Sequence, residues 1–97
     1  MKALILVAGL AGWPAEGLYC PPDGSLPIGV WAGRMLAIDG LECRRAVLAD
    51  GYWGSTECYA NGPGPFPESG RLDVLPDGTL RRDGLVYRRV DRGPCPR

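Results

Sequence analysis

Histidine is absent from all 97 positions. Its absence removes the Ser-His and Cys-His pairs that activate nucleophiles, and it leaves the usual zinc ligand sets incomplete. Net charge is missing as well: 11 basic and 11 acidic side chains cancel. The chain therefore has no electrostatic footprint for nucleic acid or for an anionic membrane as its main partner. Long apolar runs are lacking, since Ala3 to Gly12 is too short to span a bilayer. No cofactor-binding motif and no repeat of a supersecondary unit occurs.

What the chain has in abundance is turn formers, with 15 Gly and 10 Pro. They argue against a helical bundle. An apolar share of 45% is nevertheless ordinary for a folded protein and argues against disorder. The combination implies a β-rich domain.

Five Asp-Gly pairs, at 23–24, 39–40, 50–51, 77–78 and 83–84, carry the strongest short hairpin signal. Taking 39–40 and 50–51 as two-residue loops sets two registers. Across the second, Leu48 falls opposite Trp53, Arg44 opposite Glu57 and Cys43 opposite Cys58; across the first, Trp31 falls opposite Leu48. Aromatic-aliphatic, opposite-charge and disulfide pairs are the kinds that stabilise sheets. Strict alternation then places Val30, Leu36, Ile38, Leu41, Cys43, Val47, Ala49, Tyr52 and Cys58 on a core face. Trp31, Met35, Leu48, Trp53 and Tyr59 lie on the other, with Glu42, Arg44 and Glu57. Strands over 71–75, 80–82 and 85–90 complete the expectation: an all-β, small antiparallel meander of five to six strands, closed as a barrel or packed as a two-sheet sandwich.

Cys20, Cys43, Cys58 and Cys95 show no C-x-x-C spacing and read as disulfides rather than metal ligands. The hairpin register selects Cys43 with Cys58 and leaves Cys20 for Cys95. Alternation from the 50–51 turn puts Cys43 and Cys58 at a hydrogen-bonded pair, which is unfavourable for a bridge unless a bulge intervenes. The alternative is four free thiols in the cytoplasm. Met1, Lys2 and the apolar run to Gly12 have the layout of a secretory leader, giving a signal peptide over 1–15 and one domain over 16–97. The competing reading retains the segment as an N-terminal strand.

For catalysis, Glu42 and Glu57 share a face, but Glu57 has Arg44 as an ion-pair partner, and Ser25, Ser55 and Ser69 have no activating base. The chain reads as a non-enzyme without cofactor or metal. Candidate partner-binding residues are Trp31, Leu48, Trp53 and Tyr59, together with Phe66 in the Pro-rich stretch 60–70. Two bland alternatives stand beside them: that the aromatic face is covered by the rest of the chain, and that Phe66 tucks into the core edge. From residue 71 onward seven arginines face four aspartates, and Arg81 and Arg88 fall on one face, Arg82 and Arg89 on the other. That distribution suits a solvated hairpin better than a phosphate stripe.

The body plan resembles that of small bacterial envelope proteins, including lipocalin-like inhibitors of secreted hydrolases. It implies a periplasmic or secreted, inhibitor-like domain that binds a protein partner. The alternative is a structural subunit of a virion or other large assembly, with a retained N-terminal strand packing on a neighbour, or a cytoplasmic protein.

Overall fold

In a computed structural model, three of the five Asp-Gly pairs have positive φ at both residues: Asp39-Gly40, Asp50-Gly51 and Asp83-Gly84. This is the type I′ geometry that joins antiparallel strands. The other two, at 23–24 and 77–78, belong to a repeated Pro-Asp-Gly-Ser/Thr motif. In each, the Asp Oδ1 accepts from the backbone N–H and the hydroxyl of Ser25 or Thr79. Those hydrogen bonds, the hydroxyl's first, hold both carboxyls below the ordinary aspartate pKa.

The structure describes residues 13–62, 64–91 and 93–96, which form ten short antiparallel strands and no helix. They are β1 (Gly17–Cys20), β2 (Ile28–Trp31), β3 (Met35–Ile38), β4 (Leu41–Arg44), β5 (Val47–Ala49), β6 (Tyr52–Tyr59), β7 (Phe66–Arg71), β8 (Asp73–Val74), β9 (Leu80–Arg82) and β10 (Leu85–Val90). One curled half-barrel sheet runs β5-β6-β4-β3-β2-β1-β10-β9-β8, and β7 takes the other edge of β6. Because β7 and β8 are parts of one segment interrupted only at Leu72, that segment pairs with β6 first and β9 next. It ties the two ends of the sheet together. The expected leader over 1–15, or retained strand, lies mostly outside the described residues.

The strand count exceeds the expected five or six because two expected strands are broken and because β1 and β7 form outside the expected segments. The stretch Val30 to Ile38 reverses at Ala32-Gly33-Arg34, where Gly33 and Arg34 have φ of 76° and 60°. Trp31 consequently faces Met35, not Leu48 as expected. The stretch Leu41 to Ala49 breaks at Arg45, whose φ is 50°. The 50–51 register itself holds on both sides of the break, with Cys43 opposite Cys58, Arg44 opposite Glu57 and Leu48 opposite Trp53.

The break at Arg45 inverts the faces beyond it. Val47 and Tyr52, expected in the core, are 57% and 51% exposed, and Ala49 is exposed too. Trp53, expected on the opposite face, is 2% exposed and packs on Gly70, where a Cβ would come within 2.9 Å of the indole Nε1. The break also relieves the strain expected at Cys43 and Cys58. Cys43 lies opposite Leu36 at a hydrogen-bonded position counted from the 39–40 turn, so its other side forms a narrow pair. The 4.0 Å separation of the Cys43 and Cys58 Cα atoms fits such a pair.

A hydroxyl repairs the ladder beside the break. Ser55 Oγ donates to Arg44 O at 2.5 Å and accepts from Glu57 N–H at 3.0 Å, so it bridges two backbone groups that an uninterrupted ladder would pair directly. On the far side, Ala46 N–H donates to Arg34 O across the β2–β3 turn. Ala46 is fully buried as a result.

A single core gathers Tyr19, Ile28, Val30, Leu36, Ile38, Cys43, Trp53, Cys58, Leu72, Leu80 and Tyr87. Tyr19 Oη donates to Ala15 O at 2.6 Å, and burial pushes its pKa up. The second disulfide, Cys20–Cys95, joins sequence positions 75 apart and closes the β1 end. Phe66 begins β7 and packs at the core margin, so the Pro-rich stretch is a loop only to residue 65. Pro67 is accommodated because its position alternates with Leu72, which donates to Gly51 O on the β6 side. Its missing donor therefore faces the open edge of β7.

Replacing Ser55 by Ala leaves the Arg44 carbonyl and Glu57 N–H without their partner and should cost about 1–3 kcal/mol. Urea denaturation should show this as a lowered midpoint, whereas Thr56→Ala, at an exposed position, should stay within about 0.5 kcal/mol of the parent.

Candidate protein-docking surface

The outer face of the half-barrel can be read strand by strand from its registers. Val90, Leu18, Gly29, Ala37, Glu42 and Tyr59 form one row across β10, β1, β2, β3, β4 and β6. Their inward neighbours Tyr19, Val30, Leu36, Ile38, Cys43 and Cys58 are buried, which fixes the direction of the row. Beside it run Trp31 and Met35, directly opposite each other, and then the pair Arg44 and Glu57.

Trp31 sits near the centre with 40% of its surface exposed. Its indole lies back over Gly29, where a Cβ would fall 2.8 Å from the ring nitrogen. Any larger residue at 29 would lift the ring off the sheet. Gly29 thus holds the indole flat, and Leu18, Met35 and Ala37, all partly exposed, extend the apolar surface around it.

Charge borders this surface. Arg44 stacks on the Tyr59 ring, 5.1 Å from its centroid, and is 3.8 Å from Glu42. Glu57 pairs with Arg45 instead of the expected Arg44. This follows from the break at Arg45, which swings that side chain toward β6. Both candidate catalytic carboxylates are therefore in ion pairs. Next to Tyr59 a shallow cleft of about 450 Å³ is bounded by Leu26, Glu42, Tyr59 and Asn61.

The five candidate residues consequently separate. Trp31 and Tyr59 share the outer face; Trp53 is in the core, and Leu48 and Phe66 pack against it. The structure does not assemble the row Trp31, Leu48, Trp53. Three surface residues escaped sequence reasoning: Leu18, because β1 was not foreseen as a central strand, and Val47 and Tyr52, which the face inversion brings out. Val47 and Tyr52 line a separate groove of about 670 Å³ over β5–β7, where Arg71 donates to Tyr52 Oη at 3.0 Å.

Several of the other described arginines are held by partners. Arg82 grips the Asp39 carboxylate with both terminal nitrogens, which raises its pKa, and Arg81 pairs with Asp73 at 3.2 Å. Arg89 donates to Glu16 O. Among the described residues no stripe suited to phosphate results. Among the described residues no group of three or more Cys, Asp or Glu could hold a metal, and no helix is long and apolar enough to cross a membrane.

The fold and this surface define a small, disulfide-stapled all-β domain with one apolar outer face. Comparisons with protein-family models, curated proteins and solved structures gave no match. Both disulfides are formed and no free cysteine is present, a pattern of non-reducing, extracytoplasmic environments.

Trp31 and Trp53 should respond differently to truncation. Trp53→Ala should cost about 3–5 kcal/mol of stability, as a large core residue does. Trp31→Ala should cost under about 1 kcal/mol, and thermal unfolding of the two variants checks the contrast.

Proposed function

We propose that the protein is a non-enzymatic, exported binding module that docks a protein partner on the outer face centred on Trp31. The observation that carries this reading is the immobilised, 40%-exposed indole in the middle of a sheet face bordered by Tyr59, Arg44 and Glu42. Trp, Tyr and Arg are the residues that dominate binding energy in protein interfaces, and a polar rim around an apolar centre is their common setting. The rigid sheet beneath lowers the ordering cost of association. The disulfides support an extracytoplasmic location, either periplasmic or secreted. Inhibition of a secreted enzyme is one form that such docking can take.

The test is capture from an envelope or secreted extract on the immobilised, oxidised protein, with competition by soluble variants. A genuine partner is displaced by the parent protein but not by Trp31→Ala, whose affinity should fall by about 2 kcal/mol or more, roughly 30-fold. Val47→Ala, on the separate groove, should compete like the parent. Equal competition by Trp31→Ala and the parent would remove the assigned surface.

A further inference from the structure

Asn61 is the chain's single carboxamide, since there is no glutamine and no other asparagine. It is followed by Gly62, and the two occupy an exposed bend between β6 and β7. Among the described residues, neither the Asn61 side chain nor the Gly62 N–H has a hydrogen-bond partner. A Cβ placed on Gly62 would meet nothing within 4 Å, so no packed atom shields this peptide link. A nucleophile and an electrophile one bond from closing a five-membered ring are thus both accessible and both uncommitted.

We propose that Asn61-Gly62 is a self-modifying site that converts by intramolecular imide formation. The Gly62 amide nitrogen attacks Asn61 Cγ, forming an N–Cγ bond; the side-chain nitrogen departs as ammonia, carrying the proton lost from the amide. Water then adds to either carbonyl of the imide and breaks its bond to nitrogen, leaving aspartate or isoaspartate at position 61. No oxidant or catalyst is required. The step accelerates with pH because the attacking nitrogen must be deprotonated.

The five Asp-Gly pairs could close the same ring, but an ionised carboxylate is a poor electrophile. Three of them are further restrained: Asp23 and Asp77 by Ser25 and Thr79, and Asp39 by Arg82. Gly78 N–H is also committed, donating to Leu75 O at 2.9 Å. The structure therefore singles out position 61.

Conversion gives a chain of zero net charge one additional negative charge. The new carboxylate enters the cleft bounded by Glu42 and Tyr59, at the rim of the docking face. Any effect on docking rests on the proposed function; the conversion itself does not.

The experiment is to incubate the folded, oxidised protein at mildly acidic and mildly alkaline pH, with Asn61→Gln alongside and a synthetic peptide spanning 59–66 as a reactive control. Ion exchange, intact mass and peptide mapping with isoaspartyl-specific methylation are read over time. The parent should yield one more acidic species, carrying the mass change of NH2 replaced by OH and isoaspartate at position 61, faster at the alkaline pH. Asn61→Gln, whose ring closure is slower, should remain unchanged. A parent that stays intact while the peptide converts would overturn the proposal, as would equal acidic drift in Asn61→Gln. Neither outcome depends on a partner, so this test and the docking test fail separately.

Discussion

The structure depends on a parity constraint between two turns. Residues of a central antiparallel strand direct their backbone groups alternately to one neighbour and the other. A strand between two-residue hairpin loops must point its first residue back to the preceding strand and its last residue forward to the next, so it needs an even number of residues. Asp39-Gly40 and Asp50-Gly51 are both such loops, and the stretch between them, Leu41 to Ala49, has nine residues. One residue has to break phase. Arg45 does so in the left-handed region, with Ser55 Oγ bridging the interrupted ladder on one side and Arg34 O receiving Ala46 N–H on the other.

Much follows from that single break. It gives Cys43 and Cys58 the narrow separation their bridge uses, and it turns Trp53 inward to become the largest buried side chain among the described residues. It sends Val47 and Tyr52 outward. It also redirects Arg45 to Glu57, leaving Arg44 to stack on Tyr59 at the edge of the apolar face. The surface proposed to bind a partner is what remains exposed once the turns, the bridge and the core have been satisfied together.

The sequence disclosed the fold class, both disulfides, the 50–51 register and the 39–40 register as far as Leu36, because Asp-Gly turns and cross-strand pairs are local signals with strong geometric consequences. It concealed whatever depended on phase. The nine-residue spacing is visible, but straight alternation from each turn predicts opposite backbone directions at Cys43, and nothing local marks which residue breaks phase. The reversal at Ala32-Gly33-Arg34 lacks an Asp-Gly pair and contains only a glycine as a cue, so alternation alone carries Trp31 past Met35 to Leu48. β1 was hidden because Gly17 to Cys20 is short and follows an apolar segment with a different reading. Of the candidate site, Trp31 and Tyr59 were legible as outward residues, whereas the exposure of Leu48, Trp53 and Phe66 depended on tertiary packing that periodicity does not encode.

The most direct test of the phase break is the pattern of short cross-strand Hα–Hα contacts in solution NMR, which mark non-hydrogen-bonded pairs. The break at Arg45 places such contacts at Leu48 with Trp53 and at Cys43 with Cys58, and none at Arg44 with Glu57. An unbroken strand running from the 50–51 turn would keep the first contact but put the following ones at Ala46 with Ser55 and Arg44 with Glu57, and abolish that of Cys43 with Cys58. Observing the latter pattern would contradict the account of the core, the bridge and the exposed face alike.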